Sequence, residues 1–180
     1  MKNNNLKSLH GKSPVIGRNC FIAETCTIIG DVEIGNNCSI WYGAILRGDV
    51  GSIKIGDDSN IQDGAIVHST YDISNVDIGR RVSIAHGAII HGCIIENDVL
   101  VGMGAIIMDN AVLHSQCMIA AGAVVPANMI CESGWIYAGI PAKKIKKLDM
   151  SKMADFFAAT PENYKKYSKW YLDEGYGKSL

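Results

Sequence analysis

Long apolar runs are missing from this sequence, and so is any excess of one charge. No apolar stretch reaches the roughly 18–20 residues that span a membrane. The opening residues, MKNNNLKSLHGKSP, lack the apolar core of a secretory signal. A soluble, cytoplasmic protein with no membrane partner is expected. Net charge is −1 at pH 7, so no basic field draws in nucleic acid. The six cysteines include no CxxC, which argues against a redox pair or a zinc ribbon. Proline is scarce at 4 residues in 180, while glycine is abundant at 19. The length suits one domain with its own core.

What is present is a ruler of six. Aliphatic residues recur as Ile16, Ile22, Ile28, Ile34, Ile40 and Leu46, then as Ile55, Ile61 and Val67. They return as Ile78, Ile84 and Ile90, and again from Ile95 through Val101, Ile107, Leu113 and Ile119 to Val125. Four places beyond each aliphatic sits a small residue such as Ala44, Ala65, Ala88 or Ala105. Four of the cysteines (Cys20, Cys26, Cys38 and Cys117) occupy that slot and read as small buried hydrophobes. Glycine often follows the aliphatic directly, at Gly17, Gly35, Gly56, Gly79 and Gly102, where relief of a positive φ is expected.

A period of six is neither helical nor a plain strand alternation. It fits short strands joined by tight turns, three strands and eighteen residues to a coil. Large aliphatics fill a narrow prism and small residues fit its corners. The pattern resembles the left-handed parallel β-helix of hexapeptide-repeat proteins, and the left hand comes from that resemblance.

The texture changes near residue 148. The sequence divides into a β-helix over 1–147 and a C-terminal helical extension over 148–180. SKMADFFAATPENYKKYSKWYLDEGY is rich in aromatic and charged residues. Thr160 as a cap and Pro161 at a first helical position predict a short helix near 151–158 and a longer one over 161–174, packed along the prism. The run Lys143, Lys144, Lys146 and Lys147 reads as a solvated connection.

The repeat also places the histidines. Three extra residues lie between Leu46 and Ile55, and five between Val67 and Ile78; the hexad that starts at Ile90 is one short. With these removed, Leu46, Val67 and Ile90 stack on one face. The residues after them, Arg47, His68 and His91, then form a column. Coils are about 4.8 Å apart, so two imidazoles stacked this way can reach one metal ion. His86 belongs to the neighbouring face, one coil above Asp63 and beside Gln62. The three histidines are not expected to meet within one chain. They would meet if prisms pack side by side, with His86 donated by a neighbour and Asp63 of that neighbour pairing with Arg47. Zinc is the default metal, and iron or cobalt would also accept imidazole. An open zinc site makes hydroxide available at neutral pH. His10 and His114 read as ordinary polar residues.

AILRGDV, NIQDGAIVH and VSIAHGAIIHG resemble the gamma-class carbonic anhydrases and their bacterial relatives. The resemblance covers about residues 10–175 and includes AGIPAKKI. It implies a homotrimer with a metal at each boundary, bound by His68, His91 and a neighbour's His86. It implies hydration of CO2 to bicarbonate, with Gln62 bonding the water at the metal. Arg47 and Asp49 would support the interface and the product, and Asp63 would pair with Arg47. Tyr164, or equally Tyr167, would line the site. The archetype carries glutamates that move protons; here Val50 occupies one such position, and the insertion STYDISN has Asp72 but no glutamate. Slow or buffer-dependent turnover is therefore expected. The prism is shared with acyltransferases that use a single histidine as base. An acyltransferase, a CoA-ester thioesterase or a non-catalytic trimeric binding protein are the alternatives.

Overall fold

The computed structural model describes residues 5–180, with the backbone alone at 150, 152–154 and 156. The chain winds as a left-handed parallel β-helix closed by one long helix. The ruler of six is the stacking register. On the first face Leu6, Ile28, Leu46, Val67, Ile90, Ile107 and Val125 lie in one line. The second face stacks Ile16, Ile34, Ile55, Ile78, Ile95, Leu113 and Cys131. The third stacks Ile22, Ile40, Ile61, Ile84, Val101, Ile119 and Tyr137. From the second coil upward these lines form the dry axis of the prism, and Ala44, Ala65, Ala88 and Ala105 fill corners at full burial. All six cysteines are buried and unpaired with one another. Burial pushes the Cys26 thiol up to about 11, so it behaves as an apolar filler.

The glycines after the aliphatics have a different cause from the one expected. Gly17, Gly35, Gly56, Gly79 and Gly102 do not have positive φ. A Cβ at Gly17 would stand 2.6 Å from the carbonyl carbon of Gly35, and one at Gly56 would stand 2.7 Å from that of Gly79. These glycines exist because successive coils touch backbone to backbone. Left-handed corners are shared between other glycines, such as Gly43 and Gly64, and side-chain residues such as Asn19, Asn37, Asp58, Asp98, Asn110 and Asn128. Short polar side chains tolerate that conformation through local hydrogen bonds.

The C-terminal segment departs from expectation. One helix, α1 (Met150–Asp173), replaces the expected pair, and Pro161 lies inside it. Asp149, not Thr160, caps its start by accepting from the Ser151 N–H. Proline in a helix interior costs about 3 kcal/mol. Here Phe157, Pro161, Tyr164, Ser168 and Leu172 form one buried or half-buried stripe. Keeping that stripe on the prism offsets the break. The lysine run is solvated as expected, but it also forms a strand: Lys143–Lys147 pairs antiparallel with Trp135–Ala138, with Lys144 Nζ 4.0 Å from the Trp135 ring centre. At the other end Lys178–Ser179 pairs antiparallel with Phe21–Ile22. Both open edges of the third face are thus covered by the chain's own backbone.

Candidate metal centre

The first face brings two histidines together. Strands Ile66–His68 and Ile89–His91 pair in parallel with His68 opposite His91. His68 Nδ1 lies 3.3 Å from His91 Nε2. The outer nitrogens are held from opposite sides. His68 Nε2 is 3.0 Å from Asp49 Oδ1, and His91 Nδ1 is 3.0 Å from Asp109 Oδ2. Arg47, below His68 in the column, bonds Asp49 at 2.5 Å. Burial works to raise the Asp49 carboxyl, but bonds from Arg47 and His68 outweigh it and hold it below its usual range. Asp109 is also held low, because bonds from Ser74, His91 and Thr70 overcome its burial. Burial lowers the pKa of His68, against the pull of Asp49 and with the help of Arg47 and His91. That shift favours the neutral ring, the form in which imidazole binds a metal.

These two nitrogens fit a metal. Ligands about 2.0–2.1 Å from zinc and at the tetrahedral angle lie about 3.3–3.4 Å apart. An ionised carboxylate only accepts hydrogen bonds, so each outer nitrogen carries the proton. That leaves two lone pairs face to face, an arrangement that a cation relieves. Among the described residues no three His, Cys, Asp or Glu side chains are placed to hold a metal ion. Within one chain the arrangement stops at these two facing imidazoles.

Asp109 and Ser74 were not singled out from sequence. Ser74, in the insertion after His68, donates to Asp109 Oδ1 at 2.5 Å and accepts from the Thr70 N–H at 3.1 Å. Gly92 makes room for them. It has φ +57°, and a Cβ there would overlap the Ser74 hydroxyl and the Asp109 carboxylate. The signal was the hexad short by one residue after Ile90. Beside the corner that Gly92 turns, the Asp109 carboxylate reaches the His91 ring from the next coil.

His86 lies elsewhere, on the third face. It sits over Asp63, with Nδ1 2.9 Å from Oδ2. Its side chain is 45% exposed, against 16% for His68 and 26% for His91. Arg47 and Asp63 do not pair within the chain. Gln62 is buried and donates to Asn60 Oδ1 at 3.0 Å; Asn60 in turn donates to Ser83. Beside His86 runs a groove of about 330 Å³ lined by Trp41, Asp63, Tyr164, Tyr167 and Trp170. Tyr164 stands edge-on to Trp41, with ring centres 5.5 Å apart. Burial and the Asp63 charge push its hydroxyl up to about 12, so it remains a proton donor at neutral pH. Tyr164 and Tyr167 both reach the groove. His114 bonds Glu96, away from these groups.

The family model described as bacterial transferase hexapeptide (six repeats) matches residues 13–48 and 92–127. Gamma carbonic anhydrase 2, mitochondrial, of Arabidopsis thaliana is 38% identical over 164 residues, 88% of this chain. The protein YrdA of Escherichia coli is 39% identical over 168 residues, which is 90% of this chain and 91% of that protein. The chain belongs to the gamma-carbonic-anhydrase-like family of hexapeptide-repeat proteins. It spans 59% of the length of that plant gamma carbonic anhydrase. A hexapeptide transferase family protein from Anaplasma phagocytophilum superposes with a TM-score of 0.88 at 40% identity, covering 93% of this chain and 98% of that one. In this gamma-carbonic-anhydrase-like chain, then, a prism that also serves transferases carries a facing imidazole pair. Among the described residues no helix is long and apolar enough to cross a membrane.

Proposed function

We propose that the chain is a metal-dependent CO2 hydratase of the carbonic anhydrase type, active as a homotrimer in the cytoplasm. The observation that carries this reading is the 3.3 Å approach of His68 Nδ1 to His91 Nε2, with both outer nitrogens bonded to carboxylates. A single general-base histidine, as an acyltransferase uses, needs no second ring facing it. His86 from the adjacent subunit is the third ligand, and its exposure suits donation across a boundary.

The first face supports such a boundary. Ile45, Ile66, Ile89, Ile106 and Val124 point outward in one strip beside the histidine column. Ile45 and Ile66 are each 38% exposed in the single chain. The third face offers Leu100, Met118 and Ile136 in the matching outward line. Face against next face buries both strips, and three such contacts close a ring.

His68, His91 and an adjacent subunit's His86 would hold zinc, or iron or cobalt in its place, which would bring the pKa of a bound water to about 7 and make hydroxide available at neutral pH. The chain's own groups do the rest. Asp49 and Asp109 fix the two rings. Gln62, with its NH2 tied to Asn60, keeps its carbonyl oxygen for the reacting water. Arg47 of one subunit pairs with Asp63 of the next and places a cation where bicarbonate forms. Tyr164 donates from the groove wall. Neither Val50 nor the insertion STYDISN supplies a glutamate to carry the released proton, so slow or buffer-dependent turnover is expected.

Stopped-flow CO2 hydration on anaerobically purified protein, with metal analysis of the same sample, tests the reading. We expect about one metal per chain and a rate that rises with buffer concentration. Full metal occupancy without hydration would overturn it and favour a CoA-ester hydrolase on the same site.

A further inference from the structure

We propose that Ser74 and Asp109 form a proton-position lock on His91. They keep its proton on Nδ1, so that Nε2 faces His68 as a lone pair. The inference rests on the shared metal site proposed above and makes Asp109 and Ser74 positioning residues for it.

The lock has a direction, set link by link. The Thr70 N–H donates to Ser74 Oγ at 3.1 Å, so that oxygen is engaged as an acceptor. The hydroxyl proton points to Asp109 Oδ1, 2.5 Å away. The other carboxylate oxygen, Oδ2, is 3.0 Å from His91 Nδ1. Because an ionised carboxylate has no proton to give, Nδ1 must donate. Nε2 is then the free acceptor, 3.3 Å from His68 Nδ1. Asp49 imposes the mirror choice on His68 by taking its Nε2 proton. Of all the hydrogen-bonded arrangements open to two imidazoles, this one leaves no proton between them. It is prepared for a cation. Gly92 is part of the device, because any Cβ there would fall on the Ser74–Asp109 bond. The insertion STYDISN, which has no glutamate to move protons, thus holds one still.

The decisive variant is Asp109→Asn, which keeps the shape and exchanges one oxygen for NH2. Ser74 still donates, so the amide oxygen takes its place opposite the hydroxyl. The NH2 then faces His91 Nδ1, which has to accept. The ring proton moves to Nε2 and points at His68. In metal-free protein labelled with 15N at histidine, NMR should show His91 protonated on Nδ1 in the wild type and on Nε2 in Asp109→Asn. Cobalt affinity, read by calorimetry, should fall about 10–100-fold. Adding Ser74→Ala to Asp109→Asn removes the serine donor, and both variants are made in a Thr70→Val background so that no second hydroxyl orients the amide. The amide can then turn its oxygen to His91, and the wild-type tautomer and most of the cobalt affinity should return. A residue that only supports the loop would make the double variant worse than Asp109→Asn alone. A wild-type His91 carrying its proton on Nε2, or a double variant that shows no recovery, overturns the lock. If wild-type protein binds no cobalt at all, the shared metal site fails, while the tautomer spectra still decide the lock.

Discussion

At the level of single residues, two kinds of glycine carry different loads. Gly35 lies where coils touch, and a Cβ there would stand 2.4 Å from Asp57 Oδ1 and 2.7 Å from its backbone nitrogen. Gly35→Asn should lower stability by about 1–3 kcal/mol in urea unfolding, since the backbone cannot yield. Gly64 sits at a corner with φ +68° and nothing within 4 Å of a Cβ. Gly64→Asn should be almost neutral, because asparagine already serves equivalent corners at Asn37 and Asn110. A glycine column in the sequence marks both kinds alike. Only the distance between coils separates crowding from left-handed φ. Val50 offers a functional counterpart. It follows Asp49 in the strand Ile45–Ile55, at a position where the resemblance to the gamma-class enzymes implies a glutamate. Val50→Glu should raise CO2 turnover in dilute buffer and change little in concentrated buffer.

For the helix, packing outweighed local propensity. Thr160 and Pro161 are good start signals, and a break was expected there. The structure instead runs α1 through Pro161 because Phe157, Pro161, Tyr164 and Ser168 share the face that meets Trp41 and the third face. Trp41 is the anchor. It is buried, donates to Ser39 and touches Phe21, Tyr164 and Tyr171. Trp41→Ala should cost about 3 kcal/mol and open α1 to proteolysis ahead of the prism. An ion pair adds a pH dependence, with Lys165 Nζ 2.8 Å from Asp58. Burial acts to raise the Asp58 carboxyl, but its bond to Lys165 and that residue's charge leave it below its ordinary value. Its contribution is therefore present at neutral pH and lost as the pH falls through that lowered value. Asp58→Asn should flatten the acid side of a plot of Tm against pH and, because Asp58 also holds the Lys165 ammonium above its ordinary value, soften the alkaline fall as well.

At the scale of the assembly, the proposed site is a property of two chains. His68→Ala and His91→Ala leave the prism axis untouched, so each should lose the metal and keep its oligomeric state in sedimentation. His86→Ala should do the same by removing the ligand from the other side of the boundary. Mixing unfolded His68→Ala and His86→Ala chains and refolding them together should rebuild some intact boundaries and recover part of the metal and the activity. No recovery in verified mixed oligomers would place all the ligands within one chain.

The prism was legible in the sequence because its cause is local and repeated. One aliphatic in six must point inward, and a slip of one residue would turn it to solvent, so the phase persists and can be counted. The same count stacked Arg47, His68 and His91 and set His86 over Asp63, since register converts sequence distance into height along the axis. What the tertiary structure decided was whatever depends on direction across coils: the carboxylate of Asp109 reaching His91, the hydroxyl of Ser74 turning back from an insertion, and the single helix laid over Trp41. Those contacts join residues outside the repeat, and no periodic pattern records where a loop or a side chain turns.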